Sequence, residues 1–168
     1  MSAFILLTLV ALQRLAELMM AHRNTKRLMQ AGATEIGAAH YPLIVSVHAA
    51  WLLALVAWEV FVPQHLSMLW LLVYIALQVL RLWVMLTLGR FWTTRIIVPR
   101  EMPLIRRGPY RFLRHPNYVV VALEIAALPL VIGAWPLAII FSLLNAAILK
   151  VRITAENRSF ELRVPMAQ

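Results

Sequence analysis

Cysteine is absent from the 168 residues. That removes thiolate nucleophiles, disulfides, cysteine zinc sites and covalent haem attachment from the available chemistry. A glycine-rich phosphate loop is also missing, as is a G-x-G-x-x-G turn after a strand, which excludes a soluble-type nucleotide fold. No internal repeat or low-complexity stretch occurs. Acidic residues number 7 against 16 Lys+Arg, leaving a net charge of +9. What remains is apolar: 62% of residues are hydrophobic and the mean hydropathy is +0.79. A chain of this composition needs lipid as its solvent. Its basic residues flank apolar runs, so anionic lipid headgroups are the expected partners and nucleic acid is not. The length suits one membrane domain spanning 1–168.

The first apolar stretch runs from about residue 3 to 21, interrupted only by Arg14 and Glu17. It lacks a basic region before Phe4 and carries bulky Leu18-Met19-Met20 where a cleavage site needs small residues, so an uncleaved span is expected. Further spans are predicted at 42–62, opened by Pro42 and closed by Pro63, and at 66–88, ending at Gly89. After a polar stretch the apolar pattern resumes at Tyr118 and continues to Leu149, broken once by Gly133-Ala134-Trp135-Pro136. This predicts a helical hairpin of two short spans, 118–132 and 136–149.

The fold class expected is therefore all-α integral membrane with five transmembrane helices. The distribution of basic residues orients it, because short cytoplasmic loops carry the excess of lysine and arginine. Fourteen lie outside the spans, in the segments 22–41 and 89–117 and in the tail after 149. Five crossings place all of them on one side, with the N-terminus outside and the C-terminus cytoplasmic. Four or six crossings would put the basic tail on the wrong side.

The segment from Ile105 to Tyr118 (Ile-Arg-Arg-Gly-Pro-Tyr-Arg-Phe-Leu-Arg-His-Pro-Asn-Tyr) concentrates groups that bind polar ligands. Gly108-Pro109 makes a turn, the tyrosines and arginines supply donors, and His115 can change protonation near neutral pH. Two readings stand from the residues alone: a ligand site, or a basic juxtamembrane loop anchored by interfacial aromatics. Arg152 and Glu156 likewise read either as site residues or as an i,i+4 ion pair on a surface helix.

The chain resembles the isoprenylcysteine carboxyl methyltransferases and their bacterial relatives. Their G-P-Y then R-H-P-x-Y signature is met by Gly108, Pro109, Tyr110, Arg114, His115, Pro116 and Tyr118. A second element, an arginine followed four residues later by a glutamate, is met by Arg152 and Glu156, although the usual second glutamate is Asn157 here. The front half is similar to a bacterial branch through Arg14-Leu15-Ala16-Glu17-Leu18, Arg23-Asn24, the run Gly32 to Gly37 and His40-Tyr41-Pro42, followed by Gly89-Arg90-Phe91-Trp92-Thr93. The resemblance implies an S-adenosylmethionine-dependent O-methyltransferase acting on a lipophilic acceptor, resembling alkylpyrone or alkylresorcinol enzymes more than prenylcysteine ones. It implies cofactor binding by Tyr110, Arg114, His115, Pro116, Tyr118 and Glu156. Arg152 is the expected clamp on an acceptor oxyanion, since guanidinium binds planar anions bidentately. With Glu156 it forms the expected catalytic pair.

Charged or polar residues inside spans are costly and commonly functional. Glu124 and Asn145 are therefore candidates to face the acceptor with Trp92, the alternative being interhelical hydrogen bonding. Arg14 and Glu17 are expected to pair with each other. Arg81, Gln78 and Glu59 are expected to form a separate buried network. His40 and His48 lack a carboxylate to complete a metal site and are read as non-ligands. Two competing functions remain open: a membrane reductase using NADPH, and a non-catalytic lipid-binding membrane protein.

Overall fold

The computed structural model describes residues 3–62, 66–99 and 106–161, with side chains as far as 156. Five helices carry the fold: α1 (Ala3–Gln30), α2 (Tyr41–Phe61), α3 (Met68–Leu88), α4 (Pro116–Val131) and α5 (Trp135–Glu161). Four helical segments are long and apolar enough to cross a membrane, namely Ala3–Gln30, Ala38–Phe61, Met68–Phe91 and Trp135–Glu156. α4 is shorter at 16 residues, about 24 Å at 1.5 Å per residue. The expected hairpin forms, turning at Gly133 with φ 69°, but its arms are unequal because α5 runs on through the tail. Lys150, Arg152, Ala155 and Glu156 are good helix formers, so the helix continues where the hydropathy ends. α1 likewise overruns its apolar stretch and carries Arg23, Lys26 and Arg27 on its last turns. Closure of α2 by Pro63, together with Arg100, lies outside the described residues, as does the side chain of Asn157.

The helical architecture has one addition. Two three-residue strands, β1 (Thr34–Ile36) and β2 (Ile96–Val98), pair antiparallel with Glu35 opposite Ile97. They tie the α1–α2 connection to the segment after α3 and form a floor beneath the helix ends.

Three tiers follow along the bundle. At one end an apolar core gathers Leu6 and Val10 of α1, Trp51 and Leu55 of α2, Tyr74 and Leu77 of α3, and Leu128 and Val131 of α4, with Phe141 of α5. Large apolar side chains such as Leu53, Leu69, Leu86 and Leu143 point outward, as lipid-facing positions must.

The middle tier is ionic. Arg81 grips Glu17 with Nε at 2.7 Å and Nη2 at 2.5 Å, and its Nη1 reaches Glu124 at 2.8 Å. Arg14 bridges the same two carboxylates at 2.9 Å each. Gln13 and Gln78 complete the shell. Arg14 and Glu17 thus pair as expected, within a larger cluster of two cations and two anions. Arg81 and Gln78 join that cluster and not Glu59, which is a correction to the expected grouping. The reason is geometric, since α1 and α4 supply their carboxylates.

Candidate active site

The third tier lies where the basic segments meet, at the start of α4 and the polar end of α5. Pro116 opens α4, where its missing N–H costs nothing, and the residue before a proline is held out of the helix. His115 therefore sits at the cap, and its ring stacks on Tyr118 at 5.3 Å between centroids. This local geometry explains the H-P-x-Y spacing: proline starts the helix so that histidine and tyrosine face the same way.

Arg152 and Glu156, one turn apart on α5, face Tyr118. The Tyr118 hydroxyl donates to Glu156 Oε2 at 2.5 Å and accepts from Arg152 Nε at 3.0 Å. The two charged residues meet through this hydroxyl and not as the alternative i,i+4 pair. Arg152 also donates from Nη2 to the Thr94 carbonyl at 2.6 Å, and its guanidinium lies over the Tyr118 ring at 5.4 Å. His115 Nδ1 stands 3.8 Å from Glu156 Oε2. Among the described residues, His115 Nε2 and Asn117 Oδ1 are buried without a hydrogen-bond partner. Buried polar atoms are nearly always satisfied, so these two atoms have hydrogen-bonding capacity left for a ligand.

Tyr110 sits in a 3-10 turn, Gly108–Arg111, and its phenol is pushed above the ordinary range by burial and then by the charge of Glu156. It remains protonated across neutral pH and is a donor there. Gly108 makes the turn possible. Its φ is 57°, and a Cβ added there would stand 2.5 Å from Thr87 Oγ1 of α3. Gly108→Ala combines a left-handed backbone with a close approach, so a loss of about 1–3 kcal/mol is expected. Thermal unfolding in detergent checks it, and an unchanged midpoint would show that the turn does not brace α3.

The other expected residues divide. Pro116 is buried at its helix start and Arg114 is exposed. Trp92 is 2% exposed; its carbonyl accepts from Asn24 at 2.8 Å, and its Nε1 is unpartnered among the described residues. Glu124 has both oxygens committed to the ion cluster, Oε1 to Gln78 and Oε2 to Arg14 and Arg81. Interhelical bonding therefore accounts for it. Asn145 is buried in α5, about two turns from Arg152.

Sequence reasoning missed the neighbouring residues. Arg152 forms one wall of a concavity whose polar lining is Glu35, His40, Tyr41 and Arg95. Its apolar lining is Ile36, Ile44 and Ile96, with Gly37 at the floor. Arg95 bonds Glu35 at 2.7 Å and lies over the Tyr41 ring at 4.1 Å. Tyr41 and Thr94 hydroxyls share a hydrogen bond at 3.1 Å. The signal lies in the runs Gly32–Gly37 and His40-Tyr41-Pro42, whereas Arg95 reads from the sequence only as a topology determinant.

No solved structure matches. The chain is 36% identical over 161 residues to "Uncharacterized protein YpbQ" of Bacillus subtilis (strain 168), spanning 94% of this chain and 96% of that protein. The family model "Isoprenylcysteine carboxyl methyltransferase (ICMT) family" matches residues 68–161, which include α3 to α5 and every member of the Tyr118, Arg152 and Glu156 constellation. The chain therefore belongs to the isoprenylcysteine carboxyl methyltransferase family, membrane methyltransferases whose usual methyl donor is S-adenosylmethionine.

Proposed function

We propose that the protein is an integral membrane S-adenosylmethionine-dependent O-methyltransferase acting on a lipophilic acceptor that bears a carboxylate or acidic hydroxyl. The observation that carries this reading is the Tyr118 hydroxyl joining Arg152 to Glu156 beside the unpartnered His115 Nε2 and Asn117 Oδ1 among the described residues. The donor set suits the cofactor: Glu156 complements a cation, while His115, Asn117 and Tyr110 offer hydrogen bonds to an amino-acid head.

When bound, the cofactor supplies an electrophilic methyl group. The chain's own residues bind, orient and exclude water. Glu156, fixed by Tyr118, holds positive charge at the start of α4, and Tyr110 closes the site from the 3-10 turn. Arg152, fixed by Tyr118 and Thr94, orients the acceptor oxyanion, which is already ionised at neutral pH and needs no strong base. Positioning is the main contribution, since alignment of reactants supplies much of the rate in a displacement.

In this reading the chain crosses the membrane five times, with the N-terminus outside and the active site open to the cytoplasm of a bacterial plasma membrane. The cysteine-free sequence makes the topology directly testable. In intact cells, a membrane-impermeant maleimide is expected to label Trp135→Cys and to spare Ala31→Cys and Arg107→Cys. Labelling of all three alike would contradict the orientation. The cofactor is tested by calorimetry on purified protein in detergent. S-adenosylmethionine is expected to bind and NADPH not to; binding of NADPH alone would replace this reading with a reductase.

A further inference from the structure

Arg152 is held at two points, and only one of them belongs to the motif residues. Its Nε donates to the Tyr118 hydroxyl at 3.0 Å and its Nη2 to the Thr94 carbonyl at 2.6 Å. We propose that Tyr41 is a positioning residue for the second hold: its hydroxyl fixes Thr94, and Thr94 fixes the guanidinium that orients the acceptor. The inference rests on the methyltransferase reading above and adds a residue, from the first half of the chain, that acts on the reaction through Arg152.

A carbonyl anchors an arginine only when its own position is fixed. Thr94 belongs to no helix or strand, so side chains must hold its neighbourhood. Asn24 of α1 donates to the Trp92 carbonyl at 2.8 Å, and Thr93 Oγ1 donates to the Arg95 carbonyl at 2.7 Å. At Thr94 itself, Oγ1 shares a hydrogen bond with the Tyr41 hydroxyl at 3.1 Å. Tyr41 is suited to this task because it is rigid. It opens α2 immediately before Pro42, and Arg95 lies over its ring at 4.1 Å while bonded to Glu35 of β1 at 2.7 Å. The ring is gripped on its face, which aims the hydroxyl at Thr94.

The effect on Arg152 follows from the length of its side chain. Arginine carries about 2 kcal/mol of rotamer entropy, and displacing a positioning group by about 1 Å can cost on the order of a hundredfold in rate. Bonds from Nε and Nη2 to two different residues fix the guanidinium plane, so loosening one loosens the other. Asn24, Glu35 and Tyr41 all precede the family-matched residues 68–161. The latch therefore comes from a part of the chain separate from the Tyr118, Arg152 and Glu156 constellation that it serves.

The test uses the full chain in detergent with its arginines isotopically labelled on nitrogen, the Arg152 Nε signal being identified by its absence from Arg152→Gln. Tyr41→Phe keeps the ring under Arg95 and removes only the hydroxyl. It is expected to speed hydrogen exchange at Arg152 Nε about fivefold, the scale of one hydrogen bond. Single-turnover transfer of tritiated methyl from S-adenosylmethionine into a total lipid extract should slow by a similar factor, while cofactor binding by calorimetry changes less than about twofold. Thr94→Val removes the other half of the same hydrogen bond and should give the same values. The double variant should then match either single variant and not the product of the two, which independent sites would give. In variants that still bind the cofactor, unchanged exchange at Arg152, or effects that multiply, overturn the inference and leave the methyltransferase reading standing. Loss of cofactor binding in both variants assigns Tyr41 to the fold alone and overturns the inference as well. Wild-type protein without cofactor binding or methyl transfer removes the methyltransferase reading itself, and with it the role given to Tyr41.

Discussion

Tyr118→Phe is expected to lower methyl transfer by about 10- to 100-fold while leaving membrane insertion and thermal stability close to wild type. The change removes one oxygen that both accepts from Arg152 and donates to Glu156. Hydrogen bonds to charged groups contribute about 1.5–3 kcal/mol, and each 1.36 kcal/mol is tenfold in rate. Without the hydroxyl, Arg152 keeps only its bond to the Thr94 carbonyl, so the acceptor clamp and the carboxylate lose their common anchor. The ring and its stacking on His115 remain, which is why stability should hold. Single-turnover rates with radiolabelled cofactor read the effect. A Tyr118→Phe enzyme as fast as wild type would show that the constellation only braces α4 against α5.

The opposite signature is expected one tier deeper. Glu124→Gln should lower stability by about 3–5 kcal/mol, because removing one partner of a buried ion cluster leaves an uncompensated charge in low dielectric. Glu124 is 1% exposed and receives Arg14, Arg81 and Gln78 together. Its loss leaves two guanidinium groups sharing Glu17 alone. The double variant Glu124→Gln/Arg14→Gln restores neutrality and is expected to recover part of the loss. Thermal unfolding in nanodiscs measures both. A Glu124→Gln protein that is stable but inactive would instead favour contact between Glu124 and the acceptor.

These two variants separate the roles that hydropathy could not. Apolar runs predicted all five helices, and the glycine at 133 predicted the hairpin, because helix length and punctuation are local properties. The H-P-x-Y and arginine–glutamate spacings were also legible, since each lies on one helix start or one helix face, and the structure brings them together at Tyr118. Non-local pairings were not legible. β1 and β2 are three residues each and stand 60 positions apart, with no turn chemistry to announce them. The partner of Arg81 could not be told from sequence, because Glu17, Glu59 and Glu124 all lie inside spans and only packing decides among them. The helices α1 and α5 run past the apolar stretches that end at 21 and 149, because hydropathy marks where the apolar run ends, whereas Arg, Lys, Ala and Glu let a helix continue.

The most direct measurement of the central claim is transfer of tritiated methyl from S-adenosylmethionine into a total lipid extract by the purified protein, with the product identified by mass spectrometry. A labelled methyl ester or enol ether on a long-chain amphiphile, formed by wild type and reduced at least tenfold by Tyr118→Phe, is the result predicted. Label appearing only in water-soluble compounds, or in the lipid fraction equally with both proteins, would contradict it.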